Sequence, residues 1–192
     1  MKDIILIGGG GHCKSVIDVI EHEGSYKIAG IIDKSHLVGT KVLGHTVIAS
    51  DNDLPKLAKD YKNAIICVGH IKTPLLRIQL FDMAVNAGFT LPCVISPNAY
   101  VSKYTELGSG TIIMHHAIVN ANVSIGDNCI LNSKSLIEHD CSISNHCHIS
   151  TNATINGGAT IESGCFIGSN VTTKEQVTIA KNSFIKAGSL VV

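Results

Sequence analysis

His139 stands between Glu138 and Asp140. A carboxylate bonded to one imidazole nitrogen leaves the other free to accept a proton, so the His139-Asp140 pair has the composition of a general base and its orienting acid. Glu138 is a possible substitute for Asp140. The chain carries ten histidines, and a polar residue at an exposed turn is the plainer explanation for any one of them. His115, His116 and His146 are expected to be solvated. A second candidate place binds rather than reacts. The run Gly8-Gly-Gly-Gly-His12-Cys-Lys14-Ser15 follows a short apolar stretch and opens a helical pattern, the setting in which free N–H groups and the helix dipole hold phosphate. Gly10, Gly11, His12 and Lys14 are its contact candidates, although the spacing lacks the third glycine of a dinucleotide fingerprint and simple turn chemistry also uses glycine. Asp33, at the end of a second apolar run, would accept from a ribose hydroxyl or a base edge, or close an ordinary turn. Cys141, Cys147 and His148 have zinc-ligand types. However, Cys129, Cys141, Cys147 and Cys165 occupy one repeating position that Ala153 and Ala159 fill equally well, so they read as core packing and no metal is expected.

The elements that must position these residues follow two different periods. Over residues 1–92, apolar runs alternate with helix-length segments: a strand at 3–8, a helix from Ser15 to Glu21 ending near Gly24, a strand at 26–33, a strand at 64–69, and a helix from about Thr73 to Asn86 closed by Gly88. Strands buried on both faces and separated by helices predict a parallel, Rossmann-like α/β domain. Residues 35–53 carry no clear pattern. Over residues 93–192 the period is six. Of the 17 positions taken every sixth residue from Ile95 to Val191, only Thr173 is not aliphatic. Two residues before each there is a small side chain from Thr105 onward, and three after there is most often Asn or Gly, which tolerate left-handed corners. This is the signature of a β-solenoid with three short strands per coil of 18 residues, about five coils and roughly 25 Å long. No hexad buries its aliphatic residue alone, so stability comes from stacking and from neighbouring subunits. In this register Gly157 lies directly over His139, and Gly157-Gly158 forms a shelf free of side chains.

Composition narrows the partners. Fifteen basic and fifteen acidic residues give a formal net charge of zero, which argues against nucleic acid or a membrane surface. Aromatic residues make up only 4% of the chain, with no Trp, so the core is built from Ile, Val, Ala and Cys. Seven cysteines without a secretory leader read as reduced thiols, and a cytoplasmic location is expected.

These features resemble a specific family. The opening Ile7-Gly-Gly-Gly-Gly-His12, the strand ending in Asp33, and the solenoid segment Leu131-Asn-Ser-Lys-Ser-Leu-Ile-Glu-His139-Asp140 followed by His148-Ile-Ser are similar to the left-handed β-helix sugar acyltransferases. These include the sialic-acid O-acetyltransferase type and, more closely, the bacterial nucleotide-amino-sugar N-acetyltransferases. The resemblance covers the whole chain. It implies acetyl-coenzyme A as co-substrate and a nucleotide-linked amino sugar as acceptor in bacterial glycan biosynthesis. It further implies a homotrimer with active sites between neighbouring prisms, His139 as general base and Asp140 as its orienting acid. That position is more often Glu in the family. The resemblance also puts Gly157 at the oxyanion or the coenzyme, Ser169 and Ala187 along the coenzyme path, His148 at the acetyl donor or acceptor, and Asn132 near the acceptor. The first domain would hold the nucleotide, with Gly69 and His70 nearby. Relatives continue into a Gly-x-Pro-Ala tail that helps close over the coenzyme, whereas this sequence runs to Val192. Two other readings stay open: O-acetylation of a sialic-acid-like sugar, and a non-catalytic solenoid scaffold with a ligand-sensing first domain.

Overall fold

The computed structural model describes residues 1–192. A five-stranded sheet comes first: β1 (Lys2–Ile7), β2 (Tyr26–Ile32), β3 (Lys41–Val42), β4 (His45–Ala49) and β5 (Asn63–Ile66), in the order β3-β4-β2-β1-β5. All its pairings are parallel except β3 with β4. The residues left unassigned from the sequence contain that antiparallel hairpin. Its two-residue turn, Leu43-Gly44, has φ of 47° and 89°, and a leucine in the left-handed region gives no Asn-Gly signal.

Helix α1 (Gly11–Glu23) covers one face of the sheet; α2 (Leu54–Leu57) and α3 (Leu75–Ala87) cover the other. The strand period is visible in β1, where Ile4 and Leu6 pack toward α1 while Ile5 and Ile7 pack toward α3. Glycines close both long helices, Gly24 at φ 77° and Gly88 at φ 98°. At its start α1 differs from expectation. It begins at Gly11 rather than Ser15, so His12 and Lys14 lie in its first turn.

From Val94 the chain winds through 17 two-residue strands, β6 (Val94–Ile95) to β22 (Leu190–Val191), each ending on a hexad position. They form three parallel sheets, the faces of a triangular prism. Face one holds β6, β9, β12, β15, β18 and β21; face two holds β7, β10, β13, β16, β19 and β22; face three holds β8, β11, β14, β17 and β20. Each strand pairs 18 residues on, as Ile118 with Leu136 and Leu136 with Thr154. The corners take left-handed backbone at Gly110, His116, Asn122 and on to Gly188, and Asp140 is among them at φ 61°. One continuous core of aliphatic residues and the fillers Cys129, Cys141, Cys147 and Cys165 runs up the axis. Val94, Ile112 and Met114 of face one share the core under α1. The buried Arg77 of α3 pins the sheet to the solenoid, donating to Ile66 O (2.7 Å), Val68 O (2.8 Å) and Asn128 O (3.1 Å). Burial lowers its pKa to about 10, so it stays a cation at neutral pH. No helix is long and apolar enough to cross a membrane.

Candidate active site

His139 and Asp140 occupy the corner between β13 (Leu136–Ile137) and β14 (Ser142–Ile143), which joins faces two and three. Ile137 is buried and fixes the register, while His139 is exposed over 66% of its side chain. Its Nδ1 lies 2.7 Å from Asp140 Oδ2. An ionised carboxylate only accepts, so Nδ1 carries the imidazole proton and Nε2 keeps its lone pair. The hydrogen bond that His139 donates to Asp140, with help from the charges of Asp140 and Glu138, raises the His139 pKa above its ordinary value. The Asp140 carboxyl is lowered, first by its bond from Asn122 Nδ2 (2.7 Å) and then by His139. Glu138 takes a bond from Asn120 Nδ2 (2.8 Å) and makes none to His139. Asp140, not Glu138, is therefore the acid that orients the ring.

Gly157 stacks over the imidazole as the register predicts. A Cβ there would fall 2.9 Å from His139 Cε1 and 3.0 Å from Nε2. Its φ is not in the left-handed region; that conformation belongs to Gly158, at φ 71°. The Gly158 N–H is spent on His139 O (2.9 Å), whereas the Gly157 N–H has no acceptor within the chain. The dyad and the two glycines line a groove of about 400 Å³, completed by Glu138, Asn156, Glu175 and Gln176. Thr173, the one polar hexad residue, is explained here: its buried hydroxyl accepts from Asn156 N (3.0 Å) and its carbonyl from Asn156 Nδ2 (2.8 Å), which locks Asn156 at the groove.

A second group gathers where the C-terminal ends of β1 and β5 meet face one. The N-terminus of α1 has no side-chain cap and no acid in its first turn, so its N–H groups stay available to an anion. A Cβ at Gly10 or Gly11 would meet nothing within 4 Å. Lys14 is exposed on the same first turn. Asp33 closes the loop, accepting from Gly9 N (2.7 Å) and Lys34 N (2.8 Å). Gly69 lies against His12, its position for a Cβ being 3.7 Å from His12 Cβ. His148 Nδ1 is 2.7 Å from the carbonyl of His70, and its Nε2 is 3.5 Å from Asn132 Nδ2. Because a carbonyl only accepts, the His148 proton sits on Nδ1. Burial lowers the pKa of His12, His70 and His148 to about 4 each. His12 Nε2 and both ring nitrogens of His70 are buried without a partner.

Ser169 and Ala187 fall on a third place, the corner joining faces one and two, where Asn132 also lies. Ser169 Oγ is 3.0 Å from Ser150 Oγ. Within one chain, then, the expected residues are not a single cluster. His139, Asp140 and Gly157 sit at the prism corner opposite face one, and no hydrogen bond or ring contact joins them to the His12-His70-His148 group. Two of the three histidines expected to be solvated are engaged instead. His115 Nε2 is 2.8 Å from Asp18 and its Nδ1 is 2.7 Å from Ser96 Oγ, and half-buried His146 lies between Asn128 and Phe81. Sequence reasoning missed Asn120, Asn122 and Asn156. The first two were within reach, since subtracting one coil of 18 from Glu138 and Asp140 lands on them.

The comparisons agree with this architecture. The PglD N-terminal domain family matches residues 3–84, and the GMPPB C-terminal domain family matches residues 83–191. A mutant of perosamine N-acetyltransferase from Caulobacter crescentus, solved in complex with CoA and GDP-perosamine, is 30% identical with a TM-score of 0.93; the match covers 100% of this chain and 89% of that one. The acetyltransferase domain of PglB from Neisseria gonorrhoeae FA1090, solved in complex with acetyl coenzyme A, is 28% identical with a TM-score of 0.91, over 100% and 91%. WeeI from Acinetobacter baumannii AYE, at 22% identity and a TM-score of 0.65, shares the fold. No curated protein sequence matches. With the hexad solenoid, the glycine loop and full-length similarity at this level, the chain belongs to the nucleotide-amino-sugar acetyltransferase family of left-handed β-helix enzymes.

Proposed function

We propose that the protein transfers the acetyl group of acetyl-coenzyme A to the amine of a nucleotide-linked amino sugar. The observation that carries this reading is the His139-Asp140 pair, with Nε2 free, set against the bare backbone of Gly157. In this scheme Nε2 removes a proton from the acceptor nitrogen as that nitrogen attacks the thioester carbon. The C–N bond forms, the C–S bond breaks, and the departing sulfur takes the proton back from the imidazolium. The unpartnered Gly157 N–H, on the residue stacked over the base, is the donor for the oxyanion. Glu138, Asp140 and Glu175 line the groove without a cation, an environment that attracts an amine in equilibrium with its ammonium form and offers nothing extra to a hydroxyl. This favours N- over O-acetylation.

The Rossmann-like first domain, residues 1–92, holds the nucleotide in this reading. Gly10, Gly11, His12 and Lys14 face its phosphates, with Asp33, Gly69 and His70 beside them. The solenoid, residues 93–192, performs the transfer. The two halves of the site stand at different places around one prism with no hydrogen bond or ring contact between them, which supports a homotrimer. Face two presents an outward row of Tyr100, Ile118, Leu136, Thr154, Thr172 and Leu190 without a charge. Face two is also bordered by both functional corners, that of His139 and that of Asn132, Ser169 and Ala187. Turning face two toward a three-fold axis brings the His139 corner of one prism beside the other corner of the next.

A panel of nucleotide sugars bearing an amine or a hydroxyl, assayed with acetyl-coenzyme A, tests the reaction. Turnover confined to an amine is expected, and His139→Ala should lower it by about 10²–10⁴-fold. Turnover of hydroxyl sugars alone, or none with any sugar despite coenzyme binding, would overturn the reading.

A further inference from the structure

We propose that Asn122, one coil below the dyad, is a positioning residue for the base: its amide anchors one oxygen of Asp140 so that the other holds His139 Nδ1. The proposal rests on His139 being the base. Asn122 Nδ2 donates to Asp140 Oδ1 at 2.7 Å, and Asp140 Oδ2 meets His139 Nδ1 at 2.7 Å, so the three form one chain of hydrogen bonds up the corner. Both Asn122 and Asp140 adopt left-handed backbone, φ 61° in each. The shared left-handed φ at positions one coil apart accompanies a direct bond between their side chains, amide to carboxylate.

The same arrangement recurs elsewhere: Asn152 Nδ2 donates to Asn170 Oδ1 at 2.7 Å, and Asn128 Nδ2 lies 3.1 Å from His146 Nδ1. Stacked corner amides are thus a property of the fold, and at Asp140 the property is turned to use. The short aspartate needs this help. At an exposed corner a carboxylate free to rotate would exchange the imidazole for water, whereas one with an oxygen already bonded has fewer alternatives. Asn122 is also the foremost of the groups that hold Asp140 ionised, ahead of His139 itself. The other groups facing the pair are Glu138, bound by Asn120, and Glu175 across the groove; no cation is among those lining it.

Two substitutions separate positioning from packing. Asn122→Gly removes the amide while keeping a residue at ease with left-handed φ. Asn122→Asp keeps the shape and backbone tolerance but replaces a donor with a like charge. Asn182→Gly, at a left-handed corner on another edge of the prism, is the structural control. For Asn122→Gly we expect kcat to fall about tenfold with KM for both substrates within about twofold. The acid limb of its pH profile should move to lower pH, because an imidazole that loses Asp140 returns toward its ordinary pKa and stays deprotonated further into acid. Asn122→Asp should lower kcat at least as far. Asn182→Gly should leave both kcat and the pH limb in place. Wild-type kcat and an unmoved acid limb in both Asn122 variants, with His139→Ala inactive, would overturn this proposal alone. An active His139→Ala would instead overturn the reading of the site on which it rests.

Discussion

At His139 the decisive contact comes from a residue with no side chain. Gly157 is not in the left-handed region, so a larger residue there meets no left-handed φ penalty, and the three atoms nearest a Cβ all belong to the exposed imidazole. Gly157→Val should therefore melt within a few degrees of wild type while losing turnover nearly as fully as His139→Ala, because the ring must swing off the shelf and break its bond to Asp140. Gly158→Val one residue on is the contrast. It forces a β-branched side chain into left-handed φ, at about 1–2 kcal/mol, and should lower the melting temperature. Thermal melts and kcat measured on both proteins check this. A Gly157→Val enzyme with wild-type kcat would mean that the ring does not work from this position. The placement of Gly157 over His139 was legible from counting by 18. That Gly158 rather than Gly157 takes the left-handed backbone was legible as well, since it stands three residues after Ile155, at the corner position of the hexad.

At the scale of elements, the solenoid was readable nearly to the residue because its period is enforced at every position by an interior that admits one aliphatic and one small side chain per hexad. The first half was less so. Helix α1 starts inside the glycine run, where propensity argues against helix; packing of Cys13 and Val16 into the core overrides it. Arg77 gave no signal, since a cation on a helix reads as exposed, yet it is fully buried on three carbonyls. The uncapped start of α1 yields a prediction. Gly10 has extended backbone and open space, so Gly10→Asp supplies the missing cap and should stabilise the fold by about 0.5–1 kcal/mol. The same charge would repel phosphates, raising KM for the nucleotide sugar at least tenfold while KM for acetyl-coenzyme A stays put. An unchanged nucleotide-sugar KM would move the phosphates elsewhere. The histidines beside that loop set the pH response of stability. His12, His70 and His148 are held neutral down to a pKa of about 4, against 6.5 when unfolded. Below pH 6.5 the unfolded chain binds protons that the folded one refuses, so stability is full above that pH and falls as pH drops toward 4. Each histidine contributes up to about 1.4 kcal/mol per pH unit in that window. Urea midpoints measured between pH 7.5 and 4.5 should show the decline, and His70→Asn should flatten it; a flat wild-type profile would mean the three are solvated.

For the whole molecule, the proposed trimer would make the assembly part of the chemistry. In the proposed reading the base, His139, stands at the corner between faces two and three while the glycine loop belongs to the sheet docked on face one, so a neighbouring chain would complete the site. A three-fold assembly with face two toward the axis would supply each base with a neighbour's loop, and two chains damaged in different halves should then rescue one another. His139→Ala lacks the base and keeps the loop; Gly10→Asp keeps the base and blocks the loop. Assayed with nucleotide sugar well below the raised KM, neither should show more than a small fraction of wild-type turnover alone. When the two are unfolded together in equal amounts and refolded, a site is intact where a chain that retains His139 sits beside a neighbour that retains Gly10. Each condition is met by half of the chains, so about a quarter of the wild-type activity should return. Sedimentation of the mixture should give the mass of three chains. Refolding each variant separately before mixing should return nothing, which guards against residual activity in either protein. A trimer that recovers no activity on co-refolding would mean that base and loop act within the same chain, and a monomer at micromolar concentration would remove the shared site altogether.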